Sequence, residues 1–316
     1  MFTVYCLYPG DEDVTKITDV DEKGVQENID KAELIIERFA FLSVLYRVVV
    51  DTSYDFLNYK VKSHEHFWKC IKYQMNYVNA LYGFKEYVKY NYGEKSNEYK
   101  LIDDHYNRIG WYTFAMHYRN IIIHRAGMVR DYLPKTGDVF IDLDKIIDET
   151  KKDIDRKKKQ KKKKYNEEHD RNFIRFVENQ FSDCVGNGNY YSAKKALLNA
   201  NTEIYEIAKD VFHYIYQHEY LPVMEYLIGI VVKDPYGEYV PTYVVNQETG
   251  KQFAVHEYLE DMLWNLRFTL GSEFGIVQDM LRKFYESKYL YFNSKDVSLL
   301  DIQKDVSKDS EKRNRY

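Results

Sequence analysis

Cysteine is scarce. The 316 residues hold three, Cys6, Cys70 and Cys184, odd in number and far apart, which gives no basis for a disulfide framework and suits a reducing cytoplasm. Long apolar runs are missing too. The longest, Phe39–Val50 and Tyr220–Val232, are broken by Arg47 and by Pro222 and Glu225, so neither is expected to span a bilayer. Met1 to Gly10 lacks the basic start and apolar stretch of a secretory signal. No internal repeat is visible. Overall positive charge is also absent: the net is −4, which argues against a globally basic nucleic-acid binder. The expectation is a soluble cytoplasmic protein with no membrane partner.

What is present begins with a 45% hydrophobic composition, enough for a packed core in one large domain or two modest ones. Tyrosine is exceptionally common, at 32, so many hydroxyls must reach water or a partner at the margin of the core. The charge is uneven. Residues 151–164 carry ten Lys or Arg and two Asp, whereas the rest of the chain holds 36 basic and 48 acidic residues. One concentrated basic arm therefore sits in an acidic protein.

Apolar spacing predicts a helix from about Asn28, with Ile29, Ala32, Ile35, Ile36, Phe39 and Leu42 on one stripe. A second runs from an N-cap at Ser63 to about Tyr92, where Gly93 stops it. A third covers Ser96 to Arg108, and a fourth runs from Trp111 to about Arg125, with Gly127 just beyond. Val139–Ile141 reads as a short extended segment, and Asp142 or Asp144 can cap a helix that enters the lysine block. Helices follow from Glu167 and from Ser192 to about Glu219. Tyr239–Val245 and Lys251–Val255 flank a hairpin turn, and a last helical pair covers 257–292. The segments are a lead-in at 1–27, read as irregular, a helical core at 28–150, and a Lys-rich stretch at 151–165. A helical continuation at 166–235, a hairpin with C-terminal helices at 236–295 and a polar tail at 296–316 complete them. The fold class is all-α with one small β-hairpin.

The fourth helix carries Arg119-Asn120-Ile121-Ile122-Ile123-His124. Three isoleucines require burial, so the polar groups around them ride on an anchored element. Asn120 and His124 are four residues apart, about 40° around a helix axis, and His117 extends the same polar stripe. A guanidinium, an amide and an imidazole suit a site that holds a phosphate and moves protons near neutral pH.

This motif and its setting resemble the HEPN superfamily (higher eukaryotes and prokaryotes nucleotide-binding), whose common signature is Arg-Asn-x-x-x-His. Arg119, Asn120 and His124 fit it, and Asn79–Tyr87 looks like the second helix of one bacterial branch. The resemblance covers 28–150 and, more loosely, 165–235; it does not explain the C-terminal third. It implies a HEPN-type antiparallel helical bundle that dimerises with two motif helices facing each other. In catalytic members that arrangement is a metal-independent endoribonuclease, often a toxin or an antiviral defence effector held by an antitoxin or another defence partner. Some members carry, two residues after the His, a Tyr that a partner transferase modifies; Ala126 stands there, which counts against that control.

The side chains support the same chemistry. RNA is cut without metal when its own 2′-hydroxyl attacks the adjacent phosphorus, so the expectation is no cofactor and no metal. His124 would transfer protons, worth about 10²–10⁴-fold. Arg119 would hold the phosphoryl oxygens and Asn120 would orient the phosphate or His124. One His per chain, where acid and base are both needed, makes a homodimer with a composite site a mechanistic expectation as well. His117 is either a second proton carrier or, as for most helix histidines, a bonded structural residue. Glu86 either approaches the site or is a solvated carboxylate. Lys157, Lys158, Lys159, Lys161, Lys162, Lys163 and Lys164 either track the RNA backbone or form a solvated helix extension. The alternative function is a non-catalytic HEPN module that binds nucleotide or a partner protein, and a third is a purely structural helical protein.

Other signals carry less. His64-Glu65, His218-Glu219 and His256-Glu257 lack the second His of a zinc protease motif, and His64 with His66 lacks a third ligand. Ser192-x-x-Lys195 reads as a helix cap, and the Gly186–Asn189 loop lacks a phosphate-loop ending.

Overall fold

The computed structural model describes residues 2–6, 15–20, 22–124, 129–133, 137–160, 165–186, 191–231, 242–246 and 252–255, with the single residues 258 and 262. Strands β1 (Phe2–Cys6) and β2 (Thr15–Val20) open the chain. Helices α1 (Glu22–Asn58), α2 (His64–Tyr92), α3 (Asn97–Asn107) and α4 (Trp111–His124) follow. Strands β3 (Val129–Leu133) and β4 (Asp138–Ile141) lead to α5 (Leu143–Lys159) and α6 (Glu167–Gln180). Strand β5 (Tyr191–Ser192) enters α7 (Ala193–Ile215), and a π turn at Tyr216–Tyr220 precedes α8 (Leu221–Ile230). Strands β6 (Thr242–Asn246) and β7 (Gln252–Ala254) form the expected hairpin. The fold is all-α in its bulk with minor antiparallel strands. Among the described residues no helix is long and apolar enough to cross a membrane.

Local chemistry sets most boundaries. The Ser63 hydroxyl accepts from His66 N at 3.4 Å, the Ser96 hydroxyl from Tyr99 N at 3.1 Å, and Asp142 Oδ1 from Lys145 N at 3.0 Å. Gly93, at φ +101°, ends α2 in a conformation that suits glycine. Pro222 has no N–H for the carbonyl four residues back and its ring crowds that carbonyl, which accounts for the widened turn just before it.

The chain divides into two compact units. One comprises residues 38–215. Within it Phe39, Tyr46, Phe84 and Phe212 join α1, α2 and α7 through edge-to-face and tilted ring contacts, all of them buried. Tyr77, fully buried on α2, donates to Leu197 O and Asn201 Oδ1 of α7. Strand β4 lies between β3 and β5. The other unit comprises residues 1–37 and 216–316. Its sheet has the order β2-β1-β6-β7, all antiparallel, with Val4 opposite Val244 and both buried. The lead-in at 1–27, read as an apolar start followed by irregular chain, therefore holds two strands, and α1 begins six residues ahead of the expected Asn28. The helical pair expected over 257–292 and the polar tail lie outside the described residues, apart from 258 and 262.

Helix α4 is started by a neighbour. Ile109 takes φ +55°, which is costly for a β-branched residue, and Gly110 offers no side-chain cap. Instead Glu203 of α7 accepts from Trp111 N at 2.9 Å and from Tyr112 N at 2.6 Å, placing a carboxylate on the positive end of α4. A Cβ at Gly110 would stand 2.6 Å from Glu203 Oε1. Glu203→Ala is expected to lower stability by about 1–3 kcal/mol, seen as a lower melting temperature, and Gly110→Ala to act in the same direction. A Glu203→Ala chain that melts like the wild type would refute this role.

Candidate functional site

Helix α4 is buried along most of its length. Tyr112, Phe114, Ala115, Met116, Tyr118, Ile121 and Ile122 all belong to the core, whereas Ile123, the third of the isoleucine run, is half-buried. Arg119 and Asn120 break that pattern: Asn120 is exposed and Arg119 half-buried. The Arg119 guanidinium lies over the ring of Tyr82, 3.9 Å from its centroid. Its Nε donates to Asn79 Oδ1 at 3.3 Å and its Nη1 to Asn120 Oδ1 at 3.1 Å. Asn79 and Tyr82, one turn apart on α2, thus fix the head of Arg119 while Nη2 makes no hydrogen bond among the described residues. His124 closes α4, but its side chain lies outside the described residues, as does Ala126.

The expected polar stripe divides at its first member. His117 turns inward, stacked on Phe173 of α6 with centroids 3.9 Å apart. Its Nε2 lies 3.5 Å from the Tyr106 hydroxyl of α3 and 3.8 Å from Asp170 Oδ1 of α6. Burial pushes the His117 imidazole down to about 3, against the pull of Asp170, so the ring is neutral near pH 7.

Asp170 gathers the polar groups of three segments. Its side chain is 6% exposed, and Oδ2 accepts from Lys157 Nζ at 2.9 Å and from the Tyr165 hydroxyl at 3.1 Å. Burial works to raise its pKa, but His169 and Lys157 outweigh that and hold the carboxyl well below the usual range. His169 Nδ1 faces Oδ1 at 3.9 Å, and its Nε2 lies 3.2 Å from the Tyr106 carbonyl oxygen. The rings of His169 and Tyr106 stack at 4.6 Å, and Lys85 Nζ sits 4.3 Å from the centroid of the Tyr106 ring. Burial, with Asp170 and Asp103 nearby, keeps the Tyr106 hydroxyl protonated well above its ordinary range.

A cavity of about 60 Å³ connects this cluster to the motif, lined by His117 and Asp170 below and by Asn120, Thr150 and Lys157 around it. His117 and Asn120 therefore share one space. Glu86 is half-buried on α2 and does not line it.

The lysine block, read as an RNA track or a solvated helix extension, divides. Lys157 and Lys158 turn back onto the protein: Lys157 to Asp170, and Lys158 to Glu167 Oε1 at 2.8 Å. Each finds a carboxylate on α6 close enough to bind, Lys157 half-buried and Lys158 still exposed. Lys159 stays exposed. Lys161, Lys162, Lys163 and Lys164 lie outside the described residues.

Residues that the sequence did not single out are Asn79, Tyr82, Tyr106, Tyr165, His169 and Asp170. The one local signal was an Asn166 N-cap three residues before His169, which sets His169-Asp170 on the first turn of α6. Chemically the region offers a pinned guanidinium at the surface and a buried set of lone-pair donors beneath it. Comparison with family models, with curated proteins and with solved structures gives no match for this chain.

Proposed function

We propose that the chain is a metal-independent HEPN-type endoribonuclease acting as a toxin or defence effector. The observation that carries it is the exit of Arg119 and Asn120 from an otherwise buried helix, with the Arg119 head pinned by the Tyr82 ring and Asn79. A guanidinium held in place loses little freedom on binding a phosphate, and it favours the more highly charged transition state. His124, one turn further along α4, is the proton carrier of this reading, and Asn120 orients the phosphate. The RNA 2′-hydroxyl gives up a proton and attacks phosphorus, the 5′-oxygen leaves with a proton, and the products are a 2′,3′-cyclic phosphate and a 5′-hydroxyl. One His124 cannot hold both protonation states at once, so a second copy of the chain supplies the other.

The test compares wild type, Arg119→Ala and His124→Ala for RNA cleavage in chelator, alongside melting temperature and oligomeric mass. Loss of cleavage with an unchanged melt, in a chain of dimeric mass, is the expected result. Nucleotide binding without cleavage by the wild type on varied RNAs would instead make this a binding module, and a lowered melt in His124→Ala with no activity to lose would make the motif structural. A chimeric substrate with one deoxyribose at the cut site is expected to resist; cleavage there would exclude attack by the 2′-hydroxyl.

A further inference from the structure

The cluster beneath α4 has an unusual proton count. His169 Nε2 faces a carbonyl oxygen, which can only accept, so Nε2 carries the proton and, in the neutral ring, Nδ1 presents a lone pair. Asp170 Oδ2 receives both Lys157 and Tyr165, while Oδ1 accepts no hydrogen bond within normal reach among the described residues. His117 Nε2 has the Tyr106 hydroxyl at 3.5 Å, a contact at the limit of hydrogen bonding that a cation on the Nε2 lone pair would replace, with the ring's proton on Nδ1. His117 Nε2, His169 Nδ1 and Asp170 Oδ1 thus converge, all within 4.8 Å of one another. Lone pairs aimed at each other repel unless a cation stands among them.

We infer that His117, His169 and Asp170 form a site for a divalent transition-metal cation, with zinc the best-matched ion. The two shorter separations are 3.8 Å and 3.9 Å, so a centre equidistant from the three atoms lies only a few tenths of an ångström outside a bond length of about 2.0–2.2 Å. Two imidazoles and one carboxylate favour zinc over magnesium or calcium, which prefer all-oxygen shells. The surroundings suit ligands as well. The Tyr106 carbonyl sets the His169 tautomer, and Lys157 with Tyr165 holds the far oxygen of Asp170, the outer contacts that ligating His and carboxylate groups normally require. The cavity of about 60 Å³ beside His117 and Asp170 has room for a water as fourth ligand.

One charge opposes the cation. Lys157 already neutralises Asp170, so the fold does not need the metal, and its ammonium weakens the site. The role that follows is a clamp joining α4 to α6 through His117 and the His169-Asp170 pair. It does not depend on RNA cleavage, and neither does its test.

The test uses the full chain, stripped with chelator. Co²⁺ is expected to give the visible ligand-field absorption of a tetrahedral site at one ion per chain, displaced by Zn²⁺. Zn²⁺ should raise the melting temperature by several degrees, and Mg²⁺ at the same concentration should not. Asp170→Asn and His169→Gln should each weaken binding by about tenfold or more, whereas Lys157→Met should tighten it several-fold. No Co²⁺ absorption and no Zn²⁺ shift in the wild type would overturn the site. So would wild-type affinity in folded Asp170→Asn or His169→Gln, which would put the ion elsewhere. Should those variants fail to fold, the wild-type ring-proton signals of His117 and His169 decide: they must shift with paramagnetic Co²⁺, and unshifted rings would refute the assignment.

Discussion

Arg119→Ala is expected to cut RNA cleavage by about 10²–10³-fold, the usual effect of losing one preorganised donor to a developing phosphoryl charge. Stability should hardly change. The side chain is only half-buried, and the contacts it gives up are a stacked guanidinium on Tyr82, worth about 0.5–1 kcal/mol, and hydrogen bonds at the surface. Arg119→Lys is the sharper variant. It keeps the charge but cannot stack flat on Tyr82 while bonding Asn79 and a phosphate together, so it should recover little of the loss. Asn79→Ala leaves the guanidinium stacked but unpinned and should give an intermediate rate. Full cleavage by Arg119→Ala, measured on the same RNA with melting checked in parallel, would remove the central support of the ribonuclease reading.

Asp170→Ala carries the largest expected effect on stability, about 2–4 kcal/mol in chelator-treated protein. The carboxylate is almost fully enclosed and ties Lys157 at the end of α5 and Tyr165 in the following connection to the first turn of α6. Without it, Lys157 and the Tyr165 hydroxyl lose their acceptor. Lys157 is 30% exposed and can turn toward water, which keeps the cost in the lower part of the range for a broken buried pair. The readout is a melting temperature several degrees below wild type. Asp170→Asn, which can still accept from Tyr165, should fall between. An Asp170→Ala chain melting within a degree of wild type would mean that these ties hold nothing together.

What could be read from the sequence was local. Ser63, Gly93, Ser96 and Asp142 mark helix ends by chemistry that acts within a few residues: Ser63 and Gly93 serve as read, Asp142 is the cap of the two aspartates offered, and Ser96, read as the first residue of its helix, is its cap. The isoleucine run announces a buried helix for the same reason. Partnerships across long stretches of chain leave no such trace. Nothing in Phe2–Cys6 points to Thr242–Asn246 as its neighbour strand, and so a lead-in that looked irregular is half of a sheet. Composition counts the charges of the basic block without saying where they point: Lys157 folds onto Asp170, a residue thirteen positions away in another helix. His117 shows the same limit. Its place on a helical stripe was legible, but its inward turn depends on Phe173 and Asp170, which a stripe drawn on α4 alone cannot contain.

The sheet order β2-β1-β6-β7 also bears on the order of events at the ribosome. Residues 38–215 form an unbroken stretch whose partners have all emerged once that stretch is made, so this unit can settle during synthesis. Strand β1 is made well ahead of its partner β6, which leaves the exit tunnel only after residues 38–215 have been translated. Until then β1 has β2 alone, and a two-stranded ribbon is marginal in water. Strand β1, made before the 38–215 unit, is therefore among the later elements to find its native place, and until β6 arrives its open edge is where a stalled chain would be most exposed to the wrong strand.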